Sequence, residues 1–258
     1  MLGALTAGAL EDAATRRESV SYGEVERRAL GLPAPVDAYQ ALAPTTHIRL
    51  IAEIKRASPS KGELALIDDA PALAEAYVEG GADAISVLTE ERRFGGTLRD
   101  LVDVRERVTV PLLRKDFISV EYQILEARAV GADIVLLIVA ALDGAVLERL
   151  HEFSRQLGLT VLVEAHSADE VRRAADVGAG LIGVNARDLS TFELDRTLFA
   201  SVRDLIPADA IAVAESAVNT VDDVRAYRDA GADVVLVGEA LVTAGNARSI
   251  VEQFREVN

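Results

Sequence analysis

A short motif recurs four times at intervals of about 50 residues, a spacing that marks a repeat architecture. The copies are Gly80-Gly81-Ala82-Asp83-Ala84-Ile85, Gly131-Ala132-Asp133-Ile134-Val135, Gly178-Ala179-Gly180-Leu181-Ile182 and Gly231-Ala232-Asp233-Val234-Val235. At each copy helical spacing gives way to a β-branched apolar run, so the glycine is expected as a helix C-cap just before a strand. Strand candidates fall at 48–55, 83–89, 110–116, 133–139, 160–165, 181–185, 210–215 and 233–238, and the motif precedes the second, fourth, sixth and eighth. Helical spacing occupies stretches between them, such as 69–79, 119–130, 142–157, 168–177 and 220–229. Parallel neighbours need a crossover, and eight strand–helix pairs are the make-up of a (β/α)8 barrel. A doubly wound sheet is the alternative, and it would show no four-fold repeat. The expected fold class is therefore α/β, a TIM barrel over residues 47–258 preceded by a helical extension at 1–46. In the extension Pro33, Pro35 and Pro44 break amphipathic helices into pieces, and Ser21 with Glu24 suggests a capping box.

Composition narrows the class further. Half of the residues are hydrophobic but only 4% aromatic, so the core must be Ala, Val, Leu and Ile, as parallel sheets favour. The absence of Cys removes disulfides, thiolate metal sites and thiol nucleophiles. A net charge of −15 argues against a nucleic-acid partner. Met1 to Leu10 lacks a basic n-region and runs into Glu11-Asp12, against a signal peptide, and no apolar run approaches the ~18–20 residues that span a bilayer. A soluble, cytoplasmic protein with no membrane partner is the expectation. Among 27 basic residues 24 are Arg, and the three Lys are Lys55, Lys61 and Lys115. Lys can donate a proton or act as an amine nucleophile where Arg cannot, so Lys here marks sites of Lys chemistry. Codon bias with three chance survivors is the alternative, against which two of the three lie at strand ends.

The first strand carries charge where a core strand should not. Alternation places 51, 53 and 55 on one face and 50, 52 and 54 on the other, so Glu53 and Lys55 share a face that is otherwise apolar. Buried ions are costly unless paired or used, so this strand is expected to lead into an active site. In a barrel such groups collect at the C-terminal ends of the strands. Those ends read Glu53, Lys55 and Ser58; Thr89 and Glu90; Lys115 and Asp116; Glu164 and His166; Asn185 and Arg187; Glu215 and Ser216; Gly238 and Glu239. Leu113 and Lys115 share what should be the inward face. A Lys and a Glu facing each other across the mouth, Lys115 and Glu164, would suit general acid and base; a snorkelling Lys and a structural ion pair are the alternatives. Asn185 would orient a hydroxyl or form an Asx turn, and Arg187 would meet an anion or pair with Asp188.

The last two strand ends, Glu215-Ser216-Ala217 and Gly238-Glu239, suggest a phosphate cradle of backbone N–H groups. His47, His151 and His166 have no metal-ligand spacing, and His166 lies near the site without an evident role. No metal is expected. Gly80-Gly81 and Gly95-Gly96 do not form a dinucleotide fingerprint.

Taken in order, the strand ends resemble one known family. Residues Ile51-Ala52-Glu53-Ile54-Lys55-Arg56-Ala57-Ser58-Pro59-Ser60-Lys61-Gly62 resemble the signature of indole-3-glycerol phosphate synthases. The match continues through Ser86–Glu90, Leu113–Phe117, Leu136–Ala140, Val163-Glu164, Gly183–Leu189, Ala214–Ser216 and Leu236–Leu241. The resemblance implies closure of 1-(2-carboxyphenylamino)-1-deoxyribulose 5-phosphate, a small phosphorylated substrate, to indole-3-glycerol phosphate with loss of carbon dioxide and water, and no cofactor. It implies an N-terminal segment over the catalytic mouth and Lys115 as the acid at the carbonyl oxygen. Glu164, Glu53 and Lys55 would share proton transfers and charge stabilisation, and Asn185, Glu215 and Ser216 would position the sugar chain. Phe94, Phe117 and Leu136 would wall the anthranilate ring. Lys55, Lys115 and Arg187 would make the mouth locally positive.

Two positions depart from the family pattern. Ala217 stands where Gly is usual after Glu-Ser; if φ is positive there, the Cβ costs about 1 kcal/mol or more and weakens phosphate binding. Val242-Thr243 replaces a common Met-Arg pair, with no consequence expected. Three rival readings remain. Phosphoribosylanthranilate isomerase would want a catalytic Cys, a Schiff-base aldolase would use Lys115 covalently, and a non-catalytic phosphate-binding barrel would need no acid or base.

Overall fold

The computed structural model describes residues 1–59, 61–188, 191, 193–243 and 245–258. Ser60 and Leu189 of the family-like motifs lie outside the described residues. Eight parallel strands close into a barrel: β1 (Arg49–Ile54), β2 (Ala84–Leu88), β3 (Leu112–Lys115), β4 (Ile134–Ile138), β5 (Thr160–Ala165), β6 (Leu181–Asn185), β7 (Ile211–Glu215) and β8 (Val234–Val237). They follow one another in sequence order around the barrel, and β8 returns to β1 with Leu236 beside Ile51. All eight expected strands are present. Helices cover the outside, with Leu98–Arg105 and Ala247–Arg255 added to those anticipated.

Alternation sorts the side chains as expected. Ile51, Ala84, Leu113, Ile134, Leu162, Leu181, Val213 and Leu236 fill the interior. Leu50, Ala52, Ile54, Val87, Leu112 and Val135 face outward into the larger cluster under the helices. Most of these side chains are aliphatic and close-packed, which suits a chain poor in aromatics.

The repeated glycine acts one residue later than a C-cap. Gly81, Gly131, Gly178 and Gly231 have φ of 98°, 88°, 75° and 89°. In each, the glycine N–H bonds back three residues and the next N–H bonds back five, as in Gly81→Val78 and Ala82→Tyr77. This is the Schellman pattern, with glycine in the left-handed position just past the cap. The Asp that follows then ties the barrel's base. Asp83, Asp133 and Asp233 accept the N–H of Leu50, Leu112 and Ala212 on the preceding strand, each at 2.9 Å. The third copy has Gly180 instead, because a Cβ there would lie 2.9 Å from the Tyr39 ring.

Tyr39 belongs to the N-terminal extension, which forms α1 (Leu2–Ser19), α2 (Tyr22–Leu30) and α3 (Ala38–Leu42). Only α1 lies over the catalytic mouth, where Leu2, Leu5 and Ala9 join Phe94 and Phe117. From there α2 packs Val25 and Ala29 on Tyr122 and Leu125 along the side. At the opposite end α3 buries Ala38 and Leu42 in the interior cluster, and the Val36 N–H bonds Asp133 at 2.7 Å. The extension thus covers one end and plugs the other. Ser21 accepts the Glu24 N–H, but Glu24 itself pairs with Arg27 and Arg28, so only half of the expected capping box forms. Among the described residues no helix is long and apolar enough to cross a membrane.

Candidate active site

A cavity of about 230 Å³ opens at the C-terminal ends of the strands. Glu53, Lys55, Ser58, Phe94, Lys115, Phe117, Leu136 and Glu164 line it from β1 to β5, with the loops that follow. Asn185, Arg187, Glu215, Ser216, Ala217, Gly238 and Glu239 complete it from β6 to β8. The residues given catalytic or substrate-binding roles from sequence therefore reach one space, whereas the strand-end residues Thr89, Glu90 and His166 do not line it.

At its floor the ammonium of Lys115, on the inward face of β3, is shared by two carboxylates. Its Nζ lies 2.8 Å from Glu164 Oε2 and 2.5 Å from Glu215 Oε2. Burial works against this ammonium, but Glu164, Glu215 and Glu53 outweigh it and hold the group above the usual lysine range. The two carboxylates differ. Burial would raise Glu164, yet Lys115 and His166 hold it well below the usual carboxylate range. Glu215 is pushed up to about 8 by burial, with Glu164's charge adding to it against the pull of Lys115. The two carboxyls that share one ammonium are thus pushed in opposite directions.

Missing side chains make room for this array. A Cβ on Gly183 would fall 2.1 Å from Glu215 Oε1, and one on Gly238 would fall 2.6 Å from Glu53 Oε1. Beside it, Lys55 Nζ bonds Glu53 Oε1 at 2.8 Å, and the Ser86 hydroxyl approaches the other Glu53 oxygen at 3.5 Å. Asn185 forms the Asx turn considered from sequence, its Oδ1 accepting the Arg187 N–H at 3.0 Å. The same oxygen accepts the Ser216 hydroxyl at 2.7 Å, which leaves the amide NH2 for other partners.

One wall is apolar, with Phe94 and Phe117 ring centroids 6.0 Å apart and Leu136 alongside. The opposite rim is backbone in unusual conformation: Ser216 and Ala217 have φ of 68° and 58°. The left-handed position anticipated for a glycine is thus occupied by Ala217. A short ribbon, Ala57–Ser58 paired with Gly62–Glu63, folds over the rim, and its Lys61 forms an ion pair with Glu239 across the opening.

Charge at the mouth corrects one expectation. Among the described residues lining it, Lys55, Lys61, Lys115 and Arg187 meet Glu53, Asp116, Glu164, Glu215 and Glu239, so cations do not predominate. Each strand-end ammonium has a carboxylate partner, Lys55 from its own strand and Lys115 from β5 and β7 across the barrel. Sequence reading named Lys61 and His166 but gave neither a role. Lys61 was flagged by the scarcity of Lys, and His166 by standing two residues after a strand-end Glu. Among the described residues no group of three or more His, Cys, Asp and Glu is placed to hold a metal.

Comparison with known proteins agrees over the full length. The family model for indole-3-glycerol phosphate synthase matches residues 2–254. The chain is 58% identical over 257 residues to an indole-3-glycerol phosphate synthase of Leifsonia xyli subsp. xyli, spanning 100% of this chain and 98% of that one. It is 54% identical over 251 residues to the enzyme of Mycolicibacterium vanbaalenii, spanning 97% and 92%. Solved structures of low identity share the fold. A thiamine phosphate pyrophosphorylase from Pyrococcus furiosus has 18% identity and a TM-score of 0.62, covering 81% of this chain and 94% of its own. A 3-hexulose-6-phosphate synthase from Salmonella typhimurium has 17% identity and a TM-score of 0.62, covering 81% and 97%. Matched from end to end, with its motif residues gathered in one cavity, the chain belongs to the indole-3-glycerol phosphate synthase family.

Proposed function

We propose that this cavity carries out the family's reaction, converting 1-(2-carboxyphenylamino)-1-deoxyribulose 5-phosphate to indole-3-glycerol phosphate, in the cytoplasm. The observation that supports it is Lys115 held at 2.8 and 2.5 Å between Glu164 and Glu215, beneath an aromatic wall. The anthranilate ring lies against Phe94, Phe117 and Leu136. The phosphate takes the rim at Ser216, Ala217, Gly238 and Glu239, with Ser58 and Arg187 at the opening.

Closure joins the ring carbon bearing the carboxylate to the ketone carbon, and the carbonyl electrons pass to oxygen. Lys115 gives that oxygen a proton, and the protonated Glu215 beside it returns one to the amine. Release of carbon dioxide sends its bonding pair back into the ring and restores the enamine. Lys55 with Glu53 faces the substrate carboxylate and stabilises charge. Loss of the hydroxyl as water, protonated from Lys115, and of a carbon-bound proton to Glu164 completes the pyrrole. Asn185 holds a sugar hydroxyl through its amide NH2.

Formation of the fluorescent indole product tests this directly. The wild type turns over, Lys115→Ala loses orders of magnitude in kcat, and Lys55→Ala loses less. Covalent trapping of substrate on Lys115 by borohydride would favour a Schiff-base reaction instead.

A further inference from the structure

Glu164 and Glu215 grip the same ammonium, and that contact alone does not decide which of them keeps a proton. Their far oxygens differ. Oε1 of Glu215 is buried with no hydrogen-bond partner among the described residues. Oε1 of Glu164 faces the ring of His166, whose Nε2 lies 3.3 Å away as an ion-pair contact off the hydrogen-bond axis. The ring is held from behind. Its Nδ1 lies 3.3 Å from Glu170 Oε2, and the same oxygen accepts the His166 backbone N–H at 2.8 Å. Glu170 sits in the first turn of the helix Ala168–Asp176, its own N–H on the capping Ser167. The imidazole is thus fixed between two carboxylates, with only 7% of its side chain exposed.

We propose that His166 is a positioning residue that sets the division of labour at Lys115: its positive ring keeps Glu164 a carboxylate and leaves the proton on Glu215. This rests on the acid–base reading of the site given above. The charged groups facing the ring are Glu164 on β5 and Glu170 on the following helix, and beyond Glu164 stands Lys115 from β3 with Glu215 from β7. Glu53 acts on Lys115 from β1, and Arg173 acts on Glu170 from its own helix. Burial opposes the charge on the ring, but Glu164 and Glu170 overcome it and raise the imidazole to about 10, so the ring is charged throughout the neutral range. His166 is absent from the lining of the cavity, so it acts through Glu164 and not on substrate.

The test is a carbon-13 NMR titration of glutamate-labelled full-length protein, with the Glu164 signal assigned from Glu164→Gln, beside the pH dependence of kcat. An opposite charge within about 4–6 Å shifts a carboxyl by roughly one to three units. In His166→Asn the Glu164 carboxyl should therefore titrate roughly one to three units higher, and the acid limb of kcat should move with it while KM holds. Glu170→Gln, which keeps the ring but removes its rear partner, should give a smaller shift of the same sign. An unchanged Glu164 titration in both folded variants overturns the proposal. A shifted titration in a protein whose wild type makes no indole product upholds it and refutes the acid–base reading alone.

Discussion

Gly183 on β6 leaves the space that Glu215 on β7 occupies: a Cβ at residue 183 would lie 2.1 Å from Oε1 of the carboxyl. The backbone there is fixed on both sides, paired with Glu164 on β5 and Val213 on β7. A methyl group at 183 must therefore push Glu215 off Lys115. Overpacking of this kind costs about 1–3 kcal/mol, and misplacing a reacting group by an ångström costs about 100-fold in rate. Gly183→Ala should lose both, as read by denaturant unfolding and steady-state kinetics. Wild-type kcat in the variant would mean that the Glu215 position is irrelevant to turnover.

At the phosphate rim, Ala217 holds φ at 58° with a side chain that disfavours it. Ala217→Gly removes a strain of about 1–2 kcal/mol. The entropy that glycine gains in the unfolded chain, about 0.4–1 kcal/mol, offsets part of this. The variant should be no less stable and should bind substrate several-fold more tightly, kcat being unchanged. An unchanged KM would show that the Cβ does not hinder the phosphate.

The raised Glu215 carboxyl makes a signed prediction about stability. Between its ordinary value of 4.5 and about 8, the folded chain keeps a proton that the unfolded chain has released. Stability from this group is therefore present at low pH and falls as pH rises through that window. Glu215→Gln, neutral at all pH, should show a smaller loss of melting temperature between pH 5 and pH 8 than the wild type. Parallel curves would contradict the assignment.

Most of the site was legible because a barrel converts alternation into address: once Leu113 faces in, so does Lys115, and once Ile51 does, so do Glu53 and Lys55. The repeat disclosed the topology, although it could not show that the glycine stands one residue past the cap. What escaped depended on contacts between distant segments. Nothing local in Ala38–Leu42 says that it plugs the base while Leu2–Ser19 covers the mouth. Nor does sequence show that Gly180 is small for Tyr39, or that His166 turns toward Glu164. The expectation of a positive mouth failed for the same reason, since it counted cations without the carboxylates that the closed barrel brings to them.

Behind Lys115, Arg114 points outward and is fully buried against Asp116 at 2.8 Å and Glu126 at 3.4 Å. Glu126 also holds Arg16 of α1 at 2.6 Å, so this cluster joins the helix over the mouth to the strand that carries Lys115. Breaking a buried ion pair from one side costs about 3–5 kcal/mol. Arg114→Met should lose about that much in urea unfolding; a loss below about 1 kcal/mol would show the cluster to be dispensable.

Infrared difference spectroscopy of the carboxyl C=O stretch at neutral pH tests the arrangement at Lys115 most directly. The wild type should show one buried protonated carboxyl in this site, lost in Glu215→Gln, where Lys115 and His166 keep the remaining Glu164 ionised. A band kept in Glu215→Gln, or no band in the wild type, would contradict an ammonium held between an ionised Glu164 and a protonated Glu215.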